Sequence, residues 1–356
     1  MKQTRLSTVQ SILLAFFSIV LLFLVGFIIG TNLRIRREPI YTAVEATATP
    51  TLAVTETPSP TDTPSPTETP ILYSAADPTP QPVYELDTFT DRFWLDGILK
   101  TENVYRTPDL SILFQCVYDT ENFHRRETYY VAEIFVSDVT QIQAASFRDD
   151  FSKIGSGDVE QMAIRHDAII AISGDYYGFH SSSLVIRNGT VYRTKLNHDD
   201  VCLLLRDGTM ETISGNAASI DAILEKDPWQ AWQFGPALLD EGGNARTSFP
   251  SSKLSVQNPR SCIGYVEPGH YFFVVVDGRQ KNARGMTLAE LASLMESLGC
   301  VQAFNLDGGA SAHFFWDGKV ISRPSGGGRN ISDIIYIARE SYPASPTFSG
   351  KDGLRE

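Results

Sequence analysis

The sequence lacks the features of a metalloprotein. Its four cysteines stand singly at positions 116, 202, 262 and 300, and no cluster of His and Cys has the spacing of a zinc site. We therefore expect no metal ion and no cofactor. Aspartate oxygens could bind Ca²⁺, but the chain contains no acidic calcium loop. Whether any of the cysteines form a disulfide stays open.

Positive charge is scarce over most of the chain. Lys and Arg number 30 against 42 Asp and Glu, for a formal net charge of −12. From residue 41 onward, 25 basic residues face 41 acidic ones. A body this acidic repels a phosphate backbone, which argues against non-specific nucleic-acid binding. Hydrophobic residues make up 42% of the chain, enough for a core, so global disorder is excluded.

The first 83 residues predict a membrane anchor followed by a stalk. Residues 11–30 carry no charge over about the length that spans a bilayer. The alternative, a cleaved signal peptide, would be shorter and would end at a small-residue cleavage site. Residues 31–83 are rich in Thr and Pro, a composition typical of extended linkers. We expect residues 1–10 in the cytoplasm, a single span in the cell membrane and an extracellular body.

The remaining chain predicts one strand-rich domain at 84–342 and a tail at 343–356. We expect an α+β or mixed α/β fold, with a central mixed sheet and a few packed helices. Thr287 and Glu290 have the spacing of a capping box ahead of an apolar stripe, which predicts a helix. Three hairpins are predicted from Asn-Gly or Asp-Gly pairs between apolar runs, at 188–189, 207–208 and 317–318.

Three buried strands predict a shared site, because each is followed by an aspartate beside glycine. The apolar runs 168–173, 271–276 and 301–306 precede Asp175, Asp277 and Asp307. The last two runs flank the predicted helix. A strand–helix–strand unit with parallel strands would bring Asp277 and Asp307 to one sheet edge. A single Asp-Gly pair is usually only a turn, whereas three after buried strands favour a common site.

These stretches resemble the phosphodiester glycosidase family, many of whose bacterial members are exopolysaccharide biosynthesis proteins. The resemblance covers most of residues 165–338. In the family's order, its segments are AISGDYYG (171–178), VIRNGTVYR (185–193), FGPALLDEGG (234–243), RSCIGYV (260–266), the long block 274–321 and GRNISDIIYI (328–337). Two positions depart from the pattern: the family commonly has Asn at the place of Ser173 and Gly at the place of Ala310.

The resemblance implies hydrolysis of the C1–O bond of a sugar-1-phosphodiester. Carboxylates would stabilise the oxocarbenium-like carbon, and arginines would bind the departing phosphate. Asp307 is the first candidate for the central carboxylate, followed by Asp277 and Asp175, with the roles of nucleophile and acid unassigned. The candidates for binding substrate and phosphate are Arg260, Arg279, Arg329, Asn305, Ser311, Gly308 and Gly309.

Four other side chains have competing interpretations. His180 and His313 could transfer protons near neutral pH, but a lone loop histidine is more often a satisfied polar residue. Tyr176 and Tyr177 could stack on a sugar, although a buried aromatic pair is the favoured interpretation.

The predicted function is that of a cell-surface hydrolase acting on a phosphodiester-linked glycopolymer. Two alternative functions stay open. One is a module that binds a sugar-phosphate polymer without cutting it. The other is an assembly factor for cell wall or exopolysaccharide.

Overall fold

The computed structural model describes residues 89, 91–118, 127–179, 181–249 and 256–339. The predicted membrane span at 11–30, the linker at 31–83 and the tail at 343–356 lie outside this part of the chain. Among the residues it describes, no helix has the length and apolar character needed to cross a bilayer. The membrane anchor and the cellular location therefore stay predictions.

Strands dominate the described residues. In chain order they are β1 (Leu99–Lys100), β2 (Val104–Arg106), β3 (Leu110–Tyr118), β4 (Thr128–Val136), β5 (Gln143–Ser146), β6 (Ala168–Ser173), β7 (Leu184–Arg187), β8 (Thr190–Thr194), β9 (Asp200–Leu205), β10 (Met210–Ile213), β11 (Pro228–Phe234), β12 (Arg260–Glu267), β13 (His270–Val276), β14 (Gln302–Leu306), β15 (Phe314–Trp316), β16 (Lys319–Val320) and β17 (Asp333–Ala338). The predicted strand-rich body with few helices is confirmed.

The strands form three sheets. The first has the order β1-β2-β3-β4-β13-β12-β14, the second β10-β9-β11-β7-β8 and the third β16-β15-β6-β17-β5. Every strand pair in the described residues is antiparallel, so the expected central mixed sheet is wrong. The strands β13 and β14 do run in the same direction. They are not neighbours, however, because β12 lies between them and pairs antiparallel with both.

The predicted hairpins follow from turn chemistry. Asn188 and Gly189 have φ of 50° and 73°, the pair of left-handed residues that a two-residue type I′ turn requires. They join β7 to β8. Asp317 and Gly318 also have positive φ and join β15 to β16, and Gly208 closes the β9–β10 turn. All three predicted hairpins are confirmed.

In the part of the chain that the structure describes, three α-helices pack on the sheets: α1 (Val159–Arg165), α2 (Ile220–Glu225) and α3 (Leu288–Ser297). The predicted capping box begins α3. The Thr287 hydroxyl accepts from the Glu290 N–H, and the Glu290 carboxylate accepts from the Thr287 N–H. The apolar stripe of α3 packs Leu288, Leu291 and Met295 against β12, β13 and β14.

The main hydrophobic core lies where the three sheets meet. Its buried members come from every sheet and include Ile134, Leu306, Ile172, Ile335 and Trp232. Burying one face of each sheet in a common core brings strand ends from different sheets together. At one such place the Asp307 N–H, just after β14, donates to the Gly174 carbonyl, just after β6, at 3.0 Å.

Candidate active site

A cavity of about 300 Å³ opens where β14 and β11 end and β12 begins. Arg260 is the first residue of β12, and its neighbour Ser261 pairs with Leu306 at the end of β14. The cavity holds three arginines and one carboxylate. Its lining residues are Phe234, Asn258, Pro259, Arg260, Arg279, Asn305, Leu306, Asp307, Gly308, Gly309, Ala310 and Arg329. Seven of the predicted site residues thus meet in one place.

Size alone would select a different cavity. A larger one, of about 550 Å³, lies beside Asp200, Asp240 and Arg246. Two of the three carboxylates there already accept backbone N–H groups: those of Gly215 and Ala237 at Asp200, and those of Gly242 and Asn244 at Asp240. These carboxylates hold loops in place. The larger cavity has one arginine among its carboxylates, whereas the smaller one has three arginines around a single carboxylate, which suits an anionic ligand.

Asp307 is the only carboxylate among the described residues that line the smaller cavity. It is 7% exposed, and burial raises the pKa of its carboxyl group, although Ser311 and Arg329 counteract this. Nη2 of Arg329 donates to both carboxylate oxygens, at 3.0 and 3.2 Å, and Nε donates to the Ser311 hydroxyl at 2.6 Å. Arg329 therefore favours the ionised form of Asp307 and fixes its orientation.

The other two arginines donate to backbone and side-chain oxygens. Arg260 donates through Nε to the Met286 carbonyl and through Nη2 to the Val256 carbonyl, both at 2.9 Å. Burial, reinforced by the charge of Arg279, lowers the pKa of Arg260 to about 10. Arg279 donates to Oδ1 of Asn258 at 3.0 Å. Among the described lining residues three arginines accompany one carboxylate, and this excess of positive charge attracts an anionic ligand.

The residues after Asp307 let the backbone approach other groups closely. A Cβ at Gly308 would lie 2.6 Å from the Pro259 carbonyl oxygen. Gly309 has φ of 64°, a conformation that favours glycine. Ala310 is not among the residues with positive φ, so a side chain is tolerated at this departure from the family. At the other departure, the Ser173 hydroxyl donates to the Ser311 carbonyl and accepts from the His313 N–H at 3.3 Å.

Asn305 has an unused acceptor at the cavity. Its Nδ2 donates to the Gly235 carbonyl at 2.8 Å, whereas its Oδ1 is buried and has no partner among the described residues. A buried acceptor without a donor is costly, so an incoming hydroxyl group would be favoured here.

Asp277 does not line this cavity. It accepts from the Tyr130 hydroxyl at 3.2 Å, from the Arg323 N–H at 2.9 Å and from Arg323 Nε at 3.4 Å. Burial raises the pKa of this carboxyl group as well. The expectation that Asp277 and Asp307 lie side by side is corrected by the strand order, because β12 separates them. A catalytic role for Asp277 stays a prediction that this geometry does not favour.

Asp175 belongs to a buried ion cluster. Arg187 donates through Nη2 to Asp175 at 2.6 Å and through Nε to Asp333 at 3.2 Å, with all three residues 1% exposed or less. The other oxygen of Asp175 accepts from the Gln233 N–H at 2.9 Å. Burial raises the pKa of Asp333 to about 7 despite the opposing charge of Arg187. Asp175 is thus tied to structural partners, and its catalytic role also stays a prediction.

This cluster has a signal in the sequence, although Arg187 and Asp333 were not among the predicted site residues. Arg187 ends the apolar strand β7, and Asp333 begins the apolar strand β17. A buried charged residue in an apolar strand needs an opposite charge nearby. This rule predicts an ion pair between Arg187 and Asp333.

The ambiguous side chains are now placed. Tyr177 is buried against Phe151, whereas Tyr176 is only partly buried and stacks on Phe179, so the favoured buried pair is right for Tyr177 alone. His313 donates through Nδ1 to the Ser311 carbonyl at 2.8 Å, and burial lowers its pKa. It is a satisfied polar residue at that nitrogen. His180 lies outside the described residues.

A shielded carboxylate among three guanidinium groups can stabilise a cationic carbon while it binds an anionic leaving group. Such an arrangement is suited to the hydrolysis of an anionic sugar derivative. Residues 166–338 match the family model described as phosphodiester glycosidase, so this part of the chain is similar to that family. The resemblance read from the sequence is confirmed.

Curated relatives support the family assignment over part of their length. The SPbeta prophage-derived uncharacterized protein YomE of Bacillus subtilis is 30% identical over 201 residues, which are 54% of this chain and 30% of that protein. The N-acetylglucosamine-1-phosphodiester alpha-N-acetylglucosaminidase of Mus musculus is 36% identical over 134 residues, 34% of this chain and 25% of the enzyme. The chain thus spans less than a third of the length of these relatives.

A solved structure shows the same fold. The zebrafish N-acetylglucosamine-1-phosphodiester alpha-N-acetylglucosaminidase catalytic domain, auto-inhibited by its pro-peptide, superposes with a TM-score of 0.53 at 21% identity. The match covers 65% of this chain and 83% of the zebrafish domain.

Proposed function

We propose that this chain is a glycosidase that hydrolyses the C1–O bond of a sugar-1-phosphodiester, releasing a free sugar and a phosphomonoester. The observation that carries the proposal is the pairing of one shielded carboxylate, Asp307, with three arginines in a single cavity. The match of residues 166–338 to the phosphodiester glycosidase family supports it independently.

The arginines receive the phosphate in this mechanism. Arg260 and Arg279 both line the cavity, where their positive charge attracts a phosphodiester and the second negative charge that develops as the bond breaks. An interaction that strengthens as charge develops lowers the barrier rather than only binding substrate. A phosphate stabilised in this way leaves without prior protonation. The cavity therefore needs no second carboxylate as general acid.

Asp307 acts on the sugar side of the bond. Its ionised carboxylate stabilises positive charge at C1, and it serves either as the nucleophile or as the base that activates water. Arg329 holds the carboxylate through both oxygens and keeps it ionised although burial raises its pKa. Asn305 lines the cavity and its buried Oδ1 has no donor among the described residues, so we assign it a sugar hydroxyl group as donor.

We further propose that the enzyme acts outside the cell, on a surface glycopolymer or exopolysaccharide with phosphodiester-linked sugars. The support comes from the sequence alone. Residues 11–30 have the length and composition of a membrane span, and residues 31–83 have those of an extended linker. Protease added to intact cells should then release a soluble body, whereas cleavage only after lysis would reverse the orientation.

A panel of sugar-1-phosphodiesters tests the reaction. The purified chain should release reducing sugar and phosphomonoester in equal amounts from at least one of them. Asp317→Asn is the matched control for Asp307→Asn. Asp317 also follows a strand and precedes glycine, but it pairs with Lys100 and Arg339. Saturable binding of the panel without any turnover would replace the enzyme with a binding module.

A further inference from the structure

An aromatic stack stands beside the catalytic cavity and has no part in the mechanism above. The rings of Tyr176 and Phe179 lie nearly parallel, at 16°, with their centroids 4.3 Å apart. The guanidinium carbon of Arg329 lies over the Tyr176 ring, 5.1 Å from its centroid. The Phe179 ring leaves no room for a guanidinium group on the same face of Tyr176, so Arg329 lies over the opposite face. The stack therefore runs outward from the group that holds Asp307.

The chain maintains this stack at a cost to its own stability. Tyr176 has φ of 68°, a left-handed conformation that is unfavourable for a residue other than glycine. This conformation separates Tyr176 from Tyr177, which enters the core. Phe179 stays 54% exposed, so much of a large apolar ring remains in water. Backbone strain and an exposed aromatic ring at the same place point to a ligand.

We propose that the outer face of Phe179 is a sugar subsite, which stacks against a pyranose ring next to the cleaved linkage. The inference rests on the proposed function and deepens it, because it makes the substrate an oligomer or polymer rather than a single capped sugar. The C–H face of a pyranose is apolar and nearly flat, while its hydroxyl groups at the rim stay in water. An aromatic ring offers such a face a large contact area with little loss of side-chain entropy.

The position of Phe179 decides which sugar it contacts. Arg329 grips Asp307, Tyr176 covers Arg329 and Phe179 covers Tyr176. The free face of Phe179 is thus two stacked layers away from the carboxylate that acts on C1. A ring bound there belongs to the neighbouring unit of the substrate. A nucleobase would also stack on this face, but the net charge of −12 argues against nucleic acid as the occupant.

Two substrates and two substitutions test the subsite. The substrates are a methyl diester of a sugar-1-phosphate, with one sugar, and a diester that joins two sugars. Phe179→Leu keeps apolar bulk but removes the flat face, whereas Phe179→Tyr keeps it. We expect Phe179→Leu to lower kcat/KM for the two-sugar substrate about fivefold to tenfold more than for the methyl diester, through KM. Phe179→Tyr should retain the wild-type preference for the two-sugar substrate over the methyl diester. Trp94→Leu, at a half-exposed aromatic residue elsewhere, is the control.

Other results would overturn the subsite. Equal losses on both substrates would mean that the stack only shields the Asp307–Arg329 pair from water. No loss on either would leave Phe179 without a role in binding. A larger loss on a nucleoside diphosphate sugar than on the two-sugar diester would assign the face to a nucleobase.

A binding measurement separates this inference from the proposed function. Calorimetry with the two-sugar diester should show about fivefold to tenfold weaker binding to Asp307→Asn/Phe179→Leu than to Asp307→Asn alone. This readout does not require turnover. If the wild-type chain cleaves no diester but this difference appears, the hydrolase proposal fails and the subsite stands. Equal affinities would overturn the subsite whatever the activity.

Discussion

The carboxylates at the ends of β13 and β14 look alike in sequence but meet different surroundings. Asp277 and Asp307 both follow apolar strands that run in the same direction, and both precede glycine. Asp277 accepts from a tyrosine hydroxyl and from a backbone N–H, whereas Asp307 faces a cavity with three arginines. What distinguishes a candidate catalytic carboxylate here is not the Asp-Gly pair but the groups its oxygens face.

The strongest test of this comparison replaces both carboxylates separately. Asp307→Asn keeps the shape but removes the charge that stabilises C1, so kcat should fall by about 10²–10⁴-fold. Asp277→Asn should leave kcat within about threefold of the wild type, since this residue does not reach the cavity, although losing buried hydrogen bonds should cost about 1–3 kcal/mol of stability. Thermal melts confirm folding. A normal rate for Asp307→Asn with a large loss for Asp277→Asn would reverse the assignment.

The structural role of the third predicted carboxylate, Asp175, is tested by replacing its ion-pair partner Arg187. Arg187→Met leaves Asp175 and Asp333 buried without a cation, which should lower the free energy of unfolding by about 3–5 kcal/mol. Arg339→Met is the matched control, because Arg339 also pairs with two aspartates but at the surface, where such pairs contribute about 1 kcal/mol or less. Urea unfolding measures both. Equal effects would show that the buried cluster is not structural.

Substitutions of the arginines test phosphate binding separately from the chemistry at C1. Arg260→Ala or Arg329→Ala should reduce kcat/KM for a sugar phosphodiester by about 2 kcal/mol or more, roughly 30-fold. A neutral aryl glycoside of the same sugar lacks the phosphate, so its hydrolysis should be affected less by Arg260→Ala. Steady-state kinetics on both substrates checks this. An identical loss on the two substrates would contradict a phosphate-binding role for Arg260.

The smallest expected effect is a shift in pH dependence. Burial raises the pKa of both Asp277 and Asp307 above the usual value of 3.8. In the proposed mechanism only Asp307 must be ionised, so activity should fall on acidification at a pH above the ordinary carboxyl range and should be full above the raised pKa. Asp277→Asn should leave that acid limb in place. If the limb disappears in this variant, the titrating group is Asp277.

Local features of the fold were predictable, whereas the neighbours of each strand were not. The turn at Asn188 and the capping box at Thr287 depend on residues a few positions apart, and both match the structure. The insertion of β12 between β13 and β14 depends on long-range pairing, and apolar strands of equal hydrophobicity do not specify their order. The pairing of Arg187 with Asp333 spans 146 residues and is hidden for the same reason.

The site was predicted to a similar degree. Asp307 and Arg329 could be proposed from glycine-rich segments next to strands, where ligands commonly approach the backbone. Asn258 also lines the cavity, but it lies outside every segment of the family resemblance, and no pattern in the sequence links it to Asp307. Its contribution follows from the junction of the sheets.

Hydrolysis in water enriched in a heavy oxygen isotope tests the central claim most directly. If Asp307 acts at C1, water oxygen enters the sugar and the phosphomonoester carries only ordinary oxygen. Phosphate oxygens do not exchange with water under mild conditions, so mass spectrometry of this product is decisive. Heavy oxygen in the phosphomonoester would show that the P–O bond is cleaved, and the chain would then be a phosphodiesterase rather than a glycosidase.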